Sequence, residues 1–178
     1  MPPARWRERG EGQGIRYDVM LTTLGWVGLA ATQRGVCLVE FGESEAELRR
    51  MFDERFARAR RLAEDEALRR WMREVLEFIE RPDHALDLPV DVAATTFQRR
   101  VWNALRQIPL GTRLAYGELA ARLGQPSASR AVARACASNP VAVIVPCHRV
   151  VAADGSLAGY RWGLERKRIL LEREAGNA

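Results

Sequence analysis

Short apolar-rich runs punctuated by glycine open the chain. IRYDVMLT (residues 15–22), WVGLAATQ (26–33) and VCLVEF (36–41) each read as a strand, with brief turns at Leu24-Gly25 and Arg34-Gly35 between them. Three strands joined this tightly predict an antiparallel meander. The pattern then becomes helical. Ser44 with Glu47 three residues on is a capping-box signature for a helix running to about Ala57. A second helix over 64–81 gathers Leu68, Trp71, Met72, Val75, Leu76 and Ile79 on one face, which makes Trp71 a core residue. RPDHALDLPVDVAAT (81–95) has no such period and reads as a connector.

Beyond the connector, Thr95 and Gln98 form a second capping box, opening a helix to about Gln107 that Pro109 and Gly111 end. A short helix over 116–123 stops at Gly124, and Ser127 opens another to about Ser138 after the Gln125-Pro126 turn. Helix, glycine turn and helix at this length make a helix-turn-helix pattern. VAVIV (141–145) is a strand-like apolar run that Pro146 breaks. LERKRILLEREAG (164–176) is an amphipathic helix that turns Leu164, Ile169, Leu170 and Leu171 to the core. It leaves Glu174 on its last turn, where the helix dipole disfavours a carboxylate unless it has a partner.

Composition narrows the class. With 47% hydrophobic and 29% charged residues the 178-residue chain is of ordinary globular make-up. The start has no apolar leader, and no run approaches the roughly 20 apolar residues a bilayer span needs. Three cysteines at no metal-like spacing argue against a disulfide framework and fit a reducing compartment. Charge is segregated: residues 1–94 carry fifteen Arg against eighteen acids, whereas 95–178 carry twelve Arg and one Lys against five acids. The second half is therefore strongly basic and suits an anionic partner, nucleic acid above all.

The candidate chemistry lies in that basic half, in IVPCHRVV (144–151). Two readings of Cys147 compete. It is a small buried hydrophobe, as Cys37 in GVCLVEFG and Cys136 in AVARACAS read, or it is a nucleophile activated by the adjoining His148 and Arg149 at the point where regular structure stops. Spacing alone leaves both open. His84, in the polar connector, reads as a surface residue, and with Cys37 it cannot complete a four-ligand zinc site.

The longer pattern changes the balance. PCHRV, followed by DGSLAGYRWG (154–163) and preceded by ASNPVAVIV and SRAVARA, resembles the methylated-DNA–protein-cysteine methyltransferases, the O6-alkylguanine-DNA alkyltransferase family, over about residues 97–176. Within that family it looks like the carboxy-terminal domain of bacterial Ada, without the four-cysteine phosphotriester-repair module, so transcriptional activation is not expected. The resemblance implies an α+β fold with three parts. An unstructured segment (1–14) precedes a ribonuclease H-like support of antiparallel sheet and helices (15–92). A mainly helical, winged helix-turn-helix-like DNA-binding half (93–178) completes it.

It also implies roles. Cys147 takes the alkyl group, once and irreversibly, from O6 of guanine, with O4-alkylthymine a second lesion. His148 activates the thiol through a water, Glu174 orients the imidazole, and Asn139 ties the recognition helix to the cysteine turn. Tyr116 crowds the flipped nucleotide's phosphate and donates a proton toward the departing guanine. Arg130 fills the vacated stack, or on the blander reading contacts phosphate. Ser127, Ala128, Ala131 and Arg134 complete the DNA-facing surface, whose small side chains suit close approach in the minor groove. Val150, Tyr160, Arg161 and Trp162 form the substrate pocket. Bulky Arg161-Trp162 and Ala142, where some members have proline, point to a tight pocket preferring methyl over benzyl. The implied partner is duplex DNA bearing O6-alkylguanine, bound by a cytoplasmic, nucleoid-associated monomer without cofactor or metal. Two alternatives are a lesion-binding relative without transfer, which Cys147 opposes, and a helix-turn-helix regulator, which leaves PCHRV and Glu174 unexplained.

Overall fold

The computed structural model describes residues 10–176. β1 (Gly14–Thr22), β2 (Gly25–Thr32) and β3 (Gly35–Gly42) form the antiparallel meander read from the sequence. After α1 (Glu45–Arg55) the chain returns to the far edge of the sheet, where two residues, β4 (Arg60–Arg61), pair with β1 in parallel. The sheet, in order β3-β2-β1-β4, is therefore mixed and not wholly antiparallel. Of the segment expected to be unstructured, residues 1–9 lie outside the described residues. Residues 10–13 form a turn closed by Gln13 N–H to Gly10 O (2.9 Å), and Arg60 N–H donates to Gln13 O (2.9 Å).

The sheet separates two apolar clusters. On one face Ile15, Tyr17, Val19, Ala30 and Leu38 pack against Leu48 and Phe52 of α1. Gly28 makes this possible, because a Cβ there would lie 2.4 Å from the Phe52 ring. On the other face Val27, Leu29, Val36, Val39 and Phe41 join α2 (Glu66–Glu80) and the helices of the second half in one continuous core. Side-chain caps fix the helix starts: Asp65 Oδ1 accepts from Leu68 N–H at 2.9 Å, and Thr95 and Gln98 close a full capping box on α3 (Thr96–Arg106). The box expected at Ser44 is half formed, because Glu47 reaches past Ser44 to the Glu43 N–H (3.0 Å).

The second half continues with β5 (Leu114–Ala115), α4 (Tyr116–Arg122), a 3₁₀ turn (Pro126–Ala128) and α5 (Ser129–Ala137). Ser127 therefore sits in the 3₁₀ turn, and the α-helix begins two residues later. A second 3₁₀ turn (Cys147–Arg149) leads into β6 (Val150–Val151), parallel to β5, and α6 (Leu164–Gly176) ends the fold. Leu170 and Leu171 are buried as read and Ile169 packs partly buried on the core, but Leu164 is 48% exposed. Lys167, Leu170, Leu171 and Glu174 are the buried residues, spaced three, four and seven apart as one helix face requires. No helix among the described residues is long and apolar enough to cross a membrane.

β3 is the edge that joins the halves. Val36 N–H donates to Pro89 O and Asp91 N–H to Val36 O, both at 2.8 Å, which docks the connector. Farther along, Val39 N–H donates to Pro140 O (2.9 Å) and Ala142 N–H to Val39 O (3.2 Å). An edge strand that would otherwise expose unpaired backbone is thus closed by the segment leading to Cys147. Gly28→Ala should cost about 1–3 kcal/mol in urea unfolding by overpacking the Phe52 contact, and adding Phe52→Leu should recover part of the loss.

Candidate active site

VAVIV is not a strand. Only Val141 bridges to β3, and residues 142–145 form a turn. Asn139, fully buried, organises it: its Oδ1 accepts from Val141 N–H (3.0 Å), and its Nδ2 donates to Val145 O (2.8 Å) and Cys147 Sγ (3.3 Å). With the backbone satisfied by one side chain and short-range bonds, the apolar run supplies burial and not a ladder. Val143 is held at φ +59°, a costly conformation for a β-branched residue. The turn delivers Cys147, 5% exposed, at the end of α5.

His148 and Arg149 point the other way, into the protein, and converge on Glu174. His148 Nε2 lies 2.6 Å from Glu174 Oε1, while Arg149 reaches both carboxylate oxygens (Nε–Oε2 2.9 Å, Nη2–Oε1 3.0 Å) and donates to Ile108 O (2.7 Å). Gly111 N–H adds a longer contact at 3.4 Å. This is the partner that the carboxylate at the end of α6 required. Burial acts to raise the Glu174 pKa, but the His148 and Arg149 hydrogen bonds outweigh it and bring it to about 2. An ionised carboxylate only accepts, so His148 donates from Nε2–H. Its Nδ1, buried and without a hydrogen-bond partner, keeps its lone pair. Burial pulls the imidazole below its ordinary 6.5 against the pull of Glu174, which makes it a neutral base at neutral pH.

Lys167 has no counterpart in the sequence reading. Fully buried, it donates to Val150 O (2.6 Å), Ala158 O (2.9 Å) and Gly159 O (3.1 Å), clamping the strand after the cysteine to the 158–161 loop. Its signal was the 167/170/171/174 spacing, obscured because lysine defaults to the surface. Between this loop and α5 opens a cavity of about 400 Å³, with Cys147, Tyr116, Ala133, Ala137, Tyr160 and Arg161 in its lining. Val150 and Trp162, expected in the pocket, are buried outside this lining, and Cys136, read as plain core, is part of it. Tyr116 donates to Ala158 O (3.2 Å), and burial pushes its hydroxyl up to about 12. Burial also raises the Cys147 thiol, opposed by the Asn139 hydrogen bond and the Lys167 charge.

Ser127, Arg130 and Arg134 are exposed on the 3₁₀ turn and α5, with Ala128 and Ala131 half-buried beside them. Trp102 fixes this helix from beneath, donating to Ala135 O at 2.8 Å. A separate cleft of about 290 Å³ between the connector and α3 offers Arg34, Asp91 and Arg106 but no nucleophile. Cys37 is buried and donates to Ala30 O, and His84 is exposed beside Asp83.

A buried thiol at a cavity lies next in the chain to a neutral imidazole held by a buried carboxylate, beside an exposed basic helix. That defines a class: a buried cysteine opening onto a cavity next to a basic helix. The comparisons fix the family. Residues 96–176 match the model described as "6-O-methylguanine DNA methyltransferase, DNA binding domain". The chain is 42% identical over 177 residues to the bifunctional transcriptional activator/DNA repair enzyme Ada of Escherichia coli, covering 99% of this chain and 50% of Ada. It is 37% identical over 149 residues to the inducible methylated-DNA–protein-cysteine methyltransferase of Bacillus subtilis, covering 82% of each. The crystal structure of Mycobacterium tuberculosis OGT in complex with DNA superposes with a TM-score of 0.76 at 33% identity, over 93% of this chain and 94% of that one. The chain belongs to the 6-O-methylguanine DNA methyltransferase family. It spans about half the length of the Ada proteins it matches.

Because Glu174 titrates near 2 in the folded protein against an ordinary 4.5, its contribution to stability is complete above about pH 4.5 and is lost as pH falls toward 2. Thermal unfolding between pH 6 and 2.5 should show this loss, and Glu174→Gln should flatten it. Glu174→Ala, which strands Arg149, should cost about 3–5 kcal/mol.

Proposed function

We propose that the protein repairs DNA by moving the alkyl group of O6-alkylguanine, with O4-alkylthymine as a second lesion, onto Cys147. The observation that carries this reading is the Cys147 thiol in the lining of the cavity, held by Asn139 and followed in the chain by His148, which Glu174 holds. His148 Nδ1 takes the thiol proton, through a water as the family resemblance implies, and Glu174 stabilises the imidazolium. The sulfur then displaces guanine at the alkyl carbon: the S–C bond forms, the C–O6 bond breaks, and the electron pair leaves on the base. Tyr116, protonated at neutral pH and in the same cavity lining as Cys147, is the group that donates a proton to the departing guanine. The thioether has no hydrolytic exit, so each molecule acts once. No step calls for a cofactor or metal.

Reaction inside a stacked duplex is impossible at this carbon, so the nucleotide leaves the helix and enters the cavity. The 3₁₀ turn and α5, with Ala128 on the turn and Ala131 on the helix small enough for close approach, lie in the minor groove; Arg130 fills the vacated stack, and Ser127 and Arg134 contact the backbone. Val150, Tyr160, Arg161 and Trp162 shape the pocket. We read α4, the turn and α5, with the β5–β6 pair, as a winged helix-turn-helix domain over 93–178, and residues 15–92 as a ribonuclease H-like support. The protein acts as a monomer, in the cytoplasm at the nucleoid.

Incubation with duplex DNA carrying O6-methylguanine should add one methylene unit per protein, mapped to the Cys147 peptide, with repair equal to protein added and none by Cys147→Ala. Lesion binding without a mass change would reduce the protein to a recognition module. Because burial lowers the His148 pKa below 6.5, the single-turnover rate should stay level across neutral pH and fall only as pH drops below that value.

A further inference from the structure

One buried acid takes no part in the chemistry above. Glu40 lies in β3, next to Val39, whose backbone holds the cysteine turn, and it is 5% exposed within the otherwise apolar run GVCLVEFG. Its carboxylate accepts from the Arg161 guanidinium on one oxygen and from the Trp162 indole N–H on the other. Arg161 is also held by Asn139 O, to which it donates at 3.2 Å, and it lines the cavity. Trp162 packs edge-on against Tyr160, ring centroids 5.2 Å apart, and Tyr160 in turn faces the His148 ring at 6.5 Å. Burying a carboxylate in a strand core is costly without such partners, and burial does push its pKa up against the Arg161 charge. A simple core position would hold an apolar residue. Instead, Arg161, which lines the cavity, and Trp162, which packs on the lining residue Tyr160, are both tied to one carboxylate of the amino-terminal sheet.

We infer that Glu40 is a positioning residue that fixes the Arg161–Trp162 wall and thereby sets the size of the O6 substituent the cavity admits. The inference rests on the proposed transfer to Cys147 and adds to it a role for the amino-terminal half in substrate selection. With the carboxylate in place the wall is closed on two sides, by Glu40 and by Asn139 O, and small substituents are preferred. Neutralising it removes the ion pair and leaves Arg161 held by Asn139 O, with the indole N–H as the tie between this side chain and the loop.

The test compares single-turnover transfer from two duplexes of the same sequence, one with O6-methylguanine and one with O6-benzylguanine. Glu40→Gln should raise the benzyl-to-methyl rate ratio by about tenfold, within the range that pocket contacts discriminate. Glu40→Asp, which retains the charge, should stay nearer the unmodified protein. Arg161→Gln breaks the same ion pair from an exposed position, so it serves if Glu40→Gln does not fold, and it should move the ratio the same way. In Arg161→Gln, adding Glu40→Gln should change the ratio little further. A fall in both rates by the same factor, or an unchanged ratio in Arg161→Gln, would overturn the positioning role while leaving the transfer reaction intact. Failure of the unmodified protein to transfer either group would overturn the reaction and this inference together.

Discussion

A single buried carboxylate shared by two adjacent side chains governs the architecture of the site. Glu174 accepts from His148 and from Arg149, and neither neighbour is accessible to solvent. Removing one partner from such a cluster leaves an uncompensated buried charge, at roughly 3–5 kcal/mol, so the 3₁₀ turn, α6 and the Ile108 carbonyl are locked together. The same constraint chooses the tautomer of His148 and so decides which ring nitrogen is basic. Since the two residues after the cysteine are turned inward, the thiol is presented to the opposite side, toward α5 and the cavity. Structure and chemistry thus depend on one ionisation state.

The amino-terminal half is part of the same construction. β3 uses its backbone at Val39 to hold the turn that carries Asn139 and Cys147, and its Glu40 side chain to hold the loop that carries Arg161 and Trp162. Lys167 fastens that loop from the other side. A left-handed valine at 143 persists because the surrounding bonds over-determine it. One apolar core runs unbroken from the sheet through the second half.

Much of this was legible in the sequence, for local reasons. Glycine turns separated the first three strands, and the Thr95–Gln98 box marked α3, because such signals need no tertiary knowledge. β4 was not legible, since two residues carry no period. VAVIV misled because a β-branched run reports burial as readily as pairing, and only Asn139 reveals that a side chain satisfies the backbone there. Glu174 announced itself as an acid at the wrong end of a helix, but Arg149 as its second partner did not. Glu40 had a signal that went unread: a lone carboxylate inside a continuously apolar strand. The cysteine motif was readable as chemistry only through the longer pattern around it.

The most direct test of the proposed proton transfer is the ionisation and tautomer of His148. The chain has two histidines, so ¹⁵N-histidine spectra with His84→Gln as the assignment control isolate its signals. The ring should be neutral at pH 7, protonated at Nε2 and bare at Nδ1, and should gain its second proton only below 6.5. A ring protonated on both nitrogens at pH 7, or a neutral ring carrying its proton on Nδ1, would contradict the proposed proton transfer, because no base would then remain to take the proton of Cys147.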